Sequence, residues 1–129
     1  MDRRVLVVED SPVIQRLIEV CLRPAGFEVD AALDGGTALT KAAVVTPDLV
    51  VLDVGLPDMT GWEVLEHLRA DPTTRETVVL MLTGDAREET ERRADALGAD
   101  AFLTKPFRPN DLREVCLRLV GPSVPLTAG

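Results

Sequence analysis

A run of four apolar residues that ends in a carboxylate constrains this chain more than any other feature. Residues 49–52 are all Leu or Val, Pro47 precedes them by two positions, and Asp53 follows directly. A continuous apolar run between turn-forming residues predicts a central parallel strand that is buried on both faces. Asp53 should then stand at the carboxyl edge of the sheet, where open α/β folds bind their ligands. From strand position alone, an Asp that only begins a turn is an equally good interpretation.

Strand-like and helix-like segments alternate along the whole chain. Strands are predicted over 4–8, 27–31, 48–53, 78–82 and 101–104, where apolar residues run together or alternate. Helices are predicted over 12–22, 36–45, 62–70, 86–97 and 109–120 from apolar spacing and from Gly and Pro stop signals. Five such pairs predict an α/β fold, a three-layer sandwich built on a parallel five-stranded sheet with right-handed crossovers.

Two of the predicted helices differ sharply in how they should pack. The first has a wide apolar stripe, which comprises Val13, Ile14, Leu17, Ile18, Cys21 and Leu22. The fourth helix is strongly charged, with few apolar anchors beyond Ala94 and Leu97. We expect it to pack weakly and to be the element that shifts most readily.

Length and composition indicate one domain with a real core and exclude several kinds of partner. The chain has 129 residues, 46% of them apolar, and a formal charge of −8. Phosphates of nucleic acid or of an anionic membrane would repel that charge, whereas cations or basic protein surfaces would be attracted. Because no segment has the form of a signal peptide or a membrane span, we expect a cytoplasmic protein.

The two cysteines, the single histidine and the last residues of the chain are given structural interpretations and no chemical role. Cys21 and Cys116 fall on predicted apolar stripes and should be buried free thiols in a reducing compartment. The lone His67 lies late in the third helix and should be solvated. We place the domain at residues 1–120; residues 121–129 have the composition of a tail or the start of a linker.

Several polar residues fall at the ends of predicted strands. Glu9 and Asp10 follow the first strand, Asp53 ends the third, Thr83 follows the fourth, and Lys105 follows the fifth. Three carboxylates brought close together would repel one another unless a cation lay among them. Oxygen ligands without His or Cys select a hard ion, and Mg²⁺ suits an open site that keeps several waters.

The chemistry that needs this set of side chains is phosphoryl transfer to a carboxylate. Asp53 can act as the nucleophile, while Mg²⁺ and Lys105 offset charge on the phosphoryl oxygens and the Thr83 hydroxyl donates a hydrogen bond. Each residue alone has an ordinary structural explanation, such as a surface lysine, a helix cap or an acidic turn. Their joint occurrence at successive strand ends favours the functional interpretation.

Four motifs together resemble the receiver domain of two-component response regulators. They are VVEDS at 7–11, VLDVGLPDMTG at 51–61, MLTG at 81–84 and FLTKPF at 102–107. The resemblance extends over about residues 4–120, and the combination is very specific. It implies a flavodoxin-like (βα)5 receiver fold with strand order 2-1-3-4-5.

The resemblance also implies a role for each site residue. Asp53 would receive a phosphoryl group from a histidine kinase, a phosphotransfer protein or a small phosphodonor. Mg²⁺, or alternatively Mn²⁺, would be held by Glu9, Asp10, Asp53 and the backbone carbonyl of Gly55. Lys105 would bind the phosphoryl group, and its bond to the next residue, Pro106, would be cis.

A conformational switch is implied as well. Thr83 would move toward the phosphoryl oxygen, and Phe102 would turn inward. The face formed by the fourth helix, fifth strand and fifth helix would change its affinity for partners, a second copy included. Two residues depart from common family usage, Gly55 and Asp85, and both would modulate loss of the phosphoryl group. Phe102 by itself would be interpreted as a core aromatic.

Three other functions compete with this interpretation. A haloacid-dehalogenase-type phosphatase would need a second Asp two residues after the nucleophile, where this chain has Gly55. A flavodoxin-like binding module would need a neutral anion cradle after the first strand, where this chain has Glu9 and Asp10. A receiver that takes no phosphate and serves only as an interaction module remains the third alternative. No separate substrate turnover is expected of a receiver.

Overall fold

The sheet places every predicted strand in the predicted order. In the computed structural model, which describes residues 3–85 and 87–121, five parallel strands lie in the order β2-β1-β3-β4-β5. The fold class and strand order predicted from the sequence are therefore confirmed. The strands are β1 (Arg3–Val8), β2 (Phe27–Ala32), β3 (Leu49–Asp53), β4 (Val78–Thr83) and β5 (Ala101–Thr104).

Five helices cover the two faces of this sheet. They are α1 (Pro12–Leu22), α2 (Gly35–Val45), α3 (Gly61–Ala70), α4 (Glu88–Ala96) and α5 (Pro109–Val120). One core cluster joins the sheet to α2, α3 and α4, and the other joins it to α1 and α5. Successive residues of β3 alternate between the two clusters, so a strand covered on both faces needs a continuous apolar run.

Local sequence explains how the helices nearest the sheet edge begin. The Ser11 hydroxyl accepts a hydrogen bond from the Ile14 amide at 3.3 Å, and Pro12 occupies the first turn. At α3, Thr60 and Glu63 form a reciprocal capping box. Both helices therefore start immediately after the loops that follow β1 and β3.

The apolar stripe predicted for α1 is confirmed at Ile18, Cys21 and Leu22, which are buried, and is wrong at Val13 and Leu17, which are exposed. Ile18 and Leu22 are fully covered, whereas Val13 is 76% exposed, Leu17 42% and Val20 56%. A helix presents only one face to a sheet, and residues 13, 17 and 20 lie well away from the face centred on Ile18. The six-residue stripe was too wide, and part of it is an exposed apolar strip.

Other sequence expectations need smaller changes. Helix α4 spans a shorter range than 86–97, residue 86 lies outside the described residues, and only Thr90 and Ala94 of the helix are buried. Both thiols are free and buried as predicted, and His67 is exposed. The predicted tail lies outside the described residues beyond 121. Among the described helices, none is long and apolar enough to cross a lipid bilayer.

Candidate functional site

Three carboxylates from two strand ends meet at the carboxyl edge of the sheet. Glu9, Asp10 and Asp53 each offer an oxygen, and these oxygens lie within 4.8 Å of one another. Glu9 is 2% exposed and Asp53 6%, whereas Asp10 is open to solvent. The strands explain this convergence, because β1 and β3 are parallel neighbours whose carboxyl ends coincide. The site is therefore half buried, with one acidic side chain at its mouth.

Lys105 supplies the positive charge inside this cluster. Its Nζ lies 2.8 Å from Asp53 Oδ1 and 3.3 Å from Glu9 Oε2. The Lys105 amide donates a 2.7 Å hydrogen bond to the Thr83 carbonyl, which fixes the loop after β5 against the end of β4. The peptide bond from Lys105 to Pro106 is cis. The ammonium group thus spans the ends of β1 and β3 from a third segment.

One lysine does not neutralise the carboxylates that surround it. The pKa of Glu9 is raised to about 7, first by burial and then by the neighbouring charge of Asp53, against the opposing effect of Lys105. Burial lowers the pKa of Lys105, but hydrogen bonds and charge from Asp53 and Glu9 outweigh that effect, so the pKa is raised overall. With all three carboxylates ionised, the one ammonium group leaves two negative charges of the site uncompensated.

The donor set fits a hard divalent cation. Carboxylate oxygens within a few ångströms, one of them open to water, match the preference of Mg²⁺ for oxygen ligands and retained waters. Gly55 adjoins the cluster, since a Cβ built there would stand 3.9 Å from Asp53 Oδ2. The structure therefore places Gly55 beside the Asp53 carboxylate.

Thr83 lies on the neighbouring strand and is 4% exposed. Asp53 pairs with Leu82 in the β3–β4 register, so Thr83 stands one residue beyond that pair at the same edge. Its hydroxyl oxygen accepts a 3.0 Å hydrogen bond from the Asp85 amide. The structure therefore brings Thr83 to the side of the acidic cluster, with its hydroxyl oriented by the loop that follows β4.

The Asp85 side chain is held by an arginine that the sequence analysis did not single out. The Arg87 guanidinium forms a forked contact, with Nε and Nη2 at 2.9 and 2.7 Å from Asp85 Oδ2. These hydrogen bonds hold the pKa of Asp85 far below its ordinary value. Asp85 is therefore an ionised, engaged carboxylate at the rim of the site. The two-residue spacing was visible in the sequence, but the fork depends on the loop conformation.

Phe102 lies farther from the carboxylates, at the opposite end of the short β5. It pairs with Met81 in the sheet, is half buried and packs on the core cluster shared with α4. An open cleft between α4 and β5 has Phe102, Ala94 and Ala99 in its wall. The aromatic ring thus has open space beside it on the side of the charged helix.

Comparison with known proteins identifies the family of this fold and site. Residues 5–116 match the response regulator receiver domain model. The chain belongs to that family, whose members are the switch domains of two-component signalling systems. Among curated relatives, the phosphate regulon transcriptional regulatory protein PhoB of Escherichia coli is 38% identical over 87% of this chain and 49% of its own length. The chain spans about half the length of the curated relatives it matches first.

Solved structures agree with the family assignment. The chemotaxis response regulator CheY4 of Vibrio cholerae has a TM-score of 0.88 and 36% identity over 92% of this chain and 99% of that one. The receiver domain of sensor histidine kinase PA1611 from Pseudomonas aeruginosa has a TM-score of 0.85 and 30% identity over 94% of this chain and 99% of that one. That structure has a magnesium ion coordinated in its active site cleft.

Proposed function

We propose that Asp53 is the phosphoacceptor of a signalling switch that works in a Mg²⁺-dependent reaction. The observation that supports this most strongly is the meeting of three carboxylates and one ammonium group, with Lys105 Nζ 2.8 Å from Asp53 Oδ1. The position of this cluster at the carboxyl edge of a parallel sheet is where ligands approach such folds. Membership of the receiver family supports the same role.

The proposed step is an in-line displacement at phosphorus. An Asp53 carboxylate oxygen forms the new bond to phosphorus, and the bond from phosphorus to the donor breaks, so that the donor leaves with the bonding electron pair. Lys105 then binds a phosphoryl oxygen in place of its contact with Asp53. Bound Mg²⁺, with Mn²⁺ as an alternative, would supply the remaining positive charge. Its ligands would be Glu9, Asp10, Asp53 and the Gly55 carbonyl.

The proposed response to phosphorylation involves two residues on β4 and β5. Thr83, whose hydroxyl oxygen accepts from the Asp85 amide, would turn its hydroxyl toward the phosphoryl group. Phe102 would move inward from the cleft beside α4. Helix α4 buries only Thr90 and Ala94, so few contacts oppose its displacement. The face of α4, β5 and α5 would then bind a target or a second copy of the chain.

The proposed donor is the phosphohistidine of a histidine kinase or phosphotransfer protein. The exposed strip of Val13, Leu17 and Val20 runs along α1 from the mouth of the acidic cluster, and apolar strips of this kind mark protein interaction sites.

Because kinases of this class draw their phosphoryl group from ATP, we propose that the transfer takes place in the cytoplasm. The domain would end near residue 120, with 121–129 as tail or linker, and this domain itself would not bind DNA or membrane.

Two assays test the proposal: transfer of a phosphoryl group from a kinase to the chain, and hydrolysis of an external phosphate ester by the chain. A purified histidine kinase chosen for its transfer to the wild-type chain is labelled with radioactive ATP and mixed with wild type or Asp53→Asn. We expect label on the wild type only, and no release of phosphate from p-nitrophenyl phosphate. Equal labelling of Asp53→Asn would refute the assignment of Asp53. Sustained hydrolysis of the external ester would indicate a phosphatase instead, although Gly55 offers no acid at the position that such an enzyme needs.

A further inference from the structure

Two carboxylates from different parts of the chain hold the start of α2. Asp34, the residue before the helix, accepts a 2.7 Å hydrogen bond from the Thr37 amide. Asp58 accepts hydrogen bonds from the amides of Gly35 at 2.8 Å and Gly36 at 2.9 Å. Asp58 belongs to the loop between β3 and α3, so its carboxylate fastens that loop to a helix from another part of the chain.

The same loop is also closed on itself. Gly55 and Thr60 form an isolated antiparallel bridge, and the Gly61 amide donates a 2.8 Å hydrogen bond to the Val54 carbonyl. A Cβ at Gly61 would collide with the Asp53 carbonyl oxygen, so the loop returns tightly against the end of β3. Any displacement of the outer part of the loop therefore reaches Gly55.

A second contact reinforces the attachment of the loop to α2. Met59 lies directly on Gly35, where an added Cβ would come within 2.8 Å of the Met59 sulfur. Met59 also packs against the core cluster below α2 and α3. Asp58 and Met59 thus form one anchor, with a polar contact outside and an apolar contact inside.

We propose that Asp58 is a positioning residue of the metal site, because its contact with α2 holds the loop that presents the Gly55 carbonyl beside the carboxylate cluster. This inference rests on the proposed function, which makes that carbonyl a metal ligand. Asp58 itself does not belong to the cluster. It acts through the backbone, by keeping the loop ordered before the metal arrives, so that less conformational entropy is lost on binding.

The chain offers a matched control for this proposal. Asp58→Ala and Asp34→Ala each remove a carboxylate from the start of α2. The first removes the acceptor of the Gly35 and Gly36 amides, and the second removes the acceptor of the Thr37 amide. Only Asp58 lies on the metal loop. A purely structural role predicts similar behaviour in the two variants, whereas a positioning role predicts that only Asp58→Ala weakens the binding of metal.

Mg²⁺ is titrated into the metal-free proteins and binding is measured by calorimetry and by fluorescence of Trp62, the single tryptophan of the chain. We expect the dissociation constant of Asp58→Ala to rise about three- to tenfold, with Asp34→Ala close to wild type. Asp58→Asn, which keeps one acceptor oxygen, should recover part of the affinity. Melting curves in EDTA report the loss of stability separately.

The outcomes separate this inference from the function on which it rests. The positioning role is refuted if Asp58→Ala binds Mg²⁺ as tightly as the wild type does. It is also refuted if Asp58→Ala and Asp34→Ala lose Mg²⁺ affinity to the same extent. Neither result affects the assignment of Asp53 as the phosphoacceptor. If the wild type does not bind Mg²⁺, the metal site and the positioning role both fail.

Discussion

Glu9 shows at the scale of one residue why the site needs a cation. It lies at the end of a buried strand, is 2% exposed and has the charge of Asp53 beside it. Lys105 contacts both carboxylates and offsets only part of their charge. A carboxyl group in this environment holds its proton to a higher pH than it would in water, and a bound divalent ion would favour its ionised form.

The raised pKa of Glu9 predicts a measurable dependence of stability on pH. Folding raises this pKa from the ordinary value of 4.5 to about 7, so between these values the metal-free folded protein binds more protons than the unfolded chain. The Glu9 contribution to the free energy of unfolding therefore falls as pH rises from about 4.5 to about 7. It changes little above that range.

Urea denaturation in EDTA tests this at pH 5 and pH 7.5 on wild type and Glu9→Gln. From pH 5 to pH 7.5 we expect the free energy of unfolding of the wild type to fall by on the order of 2 kcal/mol relative to that of the variant. Adding Mg²⁺ at pH 7.5 should restore the free energy of unfolding of the wild type and have little effect on that of Glu9→Gln. Parallel pH profiles for the two proteins would contradict the assignment of the raised pKa to Glu9.

Arg87 is the second residue with a specific consequence. It engages the Asp85 carboxylate at the rim of the site, so Arg87→Ala would remove one positive charge and release one negative charge. We expect phosphorylation by the anionic donor acetyl phosphate to slow about two- to fivefold at low ionic strength, with the difference shrinking as salt screens the charges.

Arg92→Ala is the matched control for this substitution. Arg92 is equally exposed and forms an ion pair with Glu88, within α4 and without contact to Asp85. Rates are measured from the change in Trp62 fluorescence at several salt concentrations. Equal rates for the two arginine variants at low salt would show that the contact with Asp85 has no influence on the donor.

At the scale of an element, α1 has two faces with different roles. Ile18 and Leu22 bury one face against the sheet, while Leu17 and its apolar neighbours remain on the surface. The sequence could predict the helix, its start at Ser11 and its apolar character. It could not predict which apolar residues face inward, because that depends on how the helix lies on the sheet.

The exposed strip predicts that Leu17→Gln separates two kinds of phosphodonor. Transfer from a histidine kinase should slow by up to about tenfold, since a lost apolar contact of about 1.4 kcal/mol has that effect. The rate of phosphorylation by acetyl phosphate should be unchanged, because this small donor binds at the acidic cluster without contacting the strip. Val44→Gln on α2, where Val44 is 79% exposed, provides the control. An equal effect of both substitutions on kinase transfer would rule out the strip as the docking surface.

Other elements show where the sequence stops being informative. The run 49–52 predicts β3 well, because a strand covered on both faces tolerates only apolar residues. Helix α4 was placed too long at both ends, since its charged sequence has no apolar boundary. The contact of Asp58 with Gly35 joins positions 23 residues apart, and no periodicity encodes such a contact.

At the scale of the whole molecule, parallel strands bring distant residues together. Glu9, Asp53 and Lys105 come from three separate segments. The Lys105 ammonium group nevertheless lies within 3.3 Å of both carboxylates. The sequence could predict this meeting because the carboxyl ends of parallel strands share one edge. It could not predict how deeply each carboxylate is buried, which determines its pKa and its need for metal.

The most direct test of the account is the mass of the intact protein after treatment with acetyl phosphate. Wild type, Asp53→Asn and wild type with EDTA are compared under identical conditions. We predict that only the wild type with Mg²⁺ gains the mass of one phosphoryl group. A phosphorylated Asp53→Asn variant, or a wild type modified equally well in EDTA, would contradict the claim that Asp53 accepts the phosphoryl group beside a bound metal.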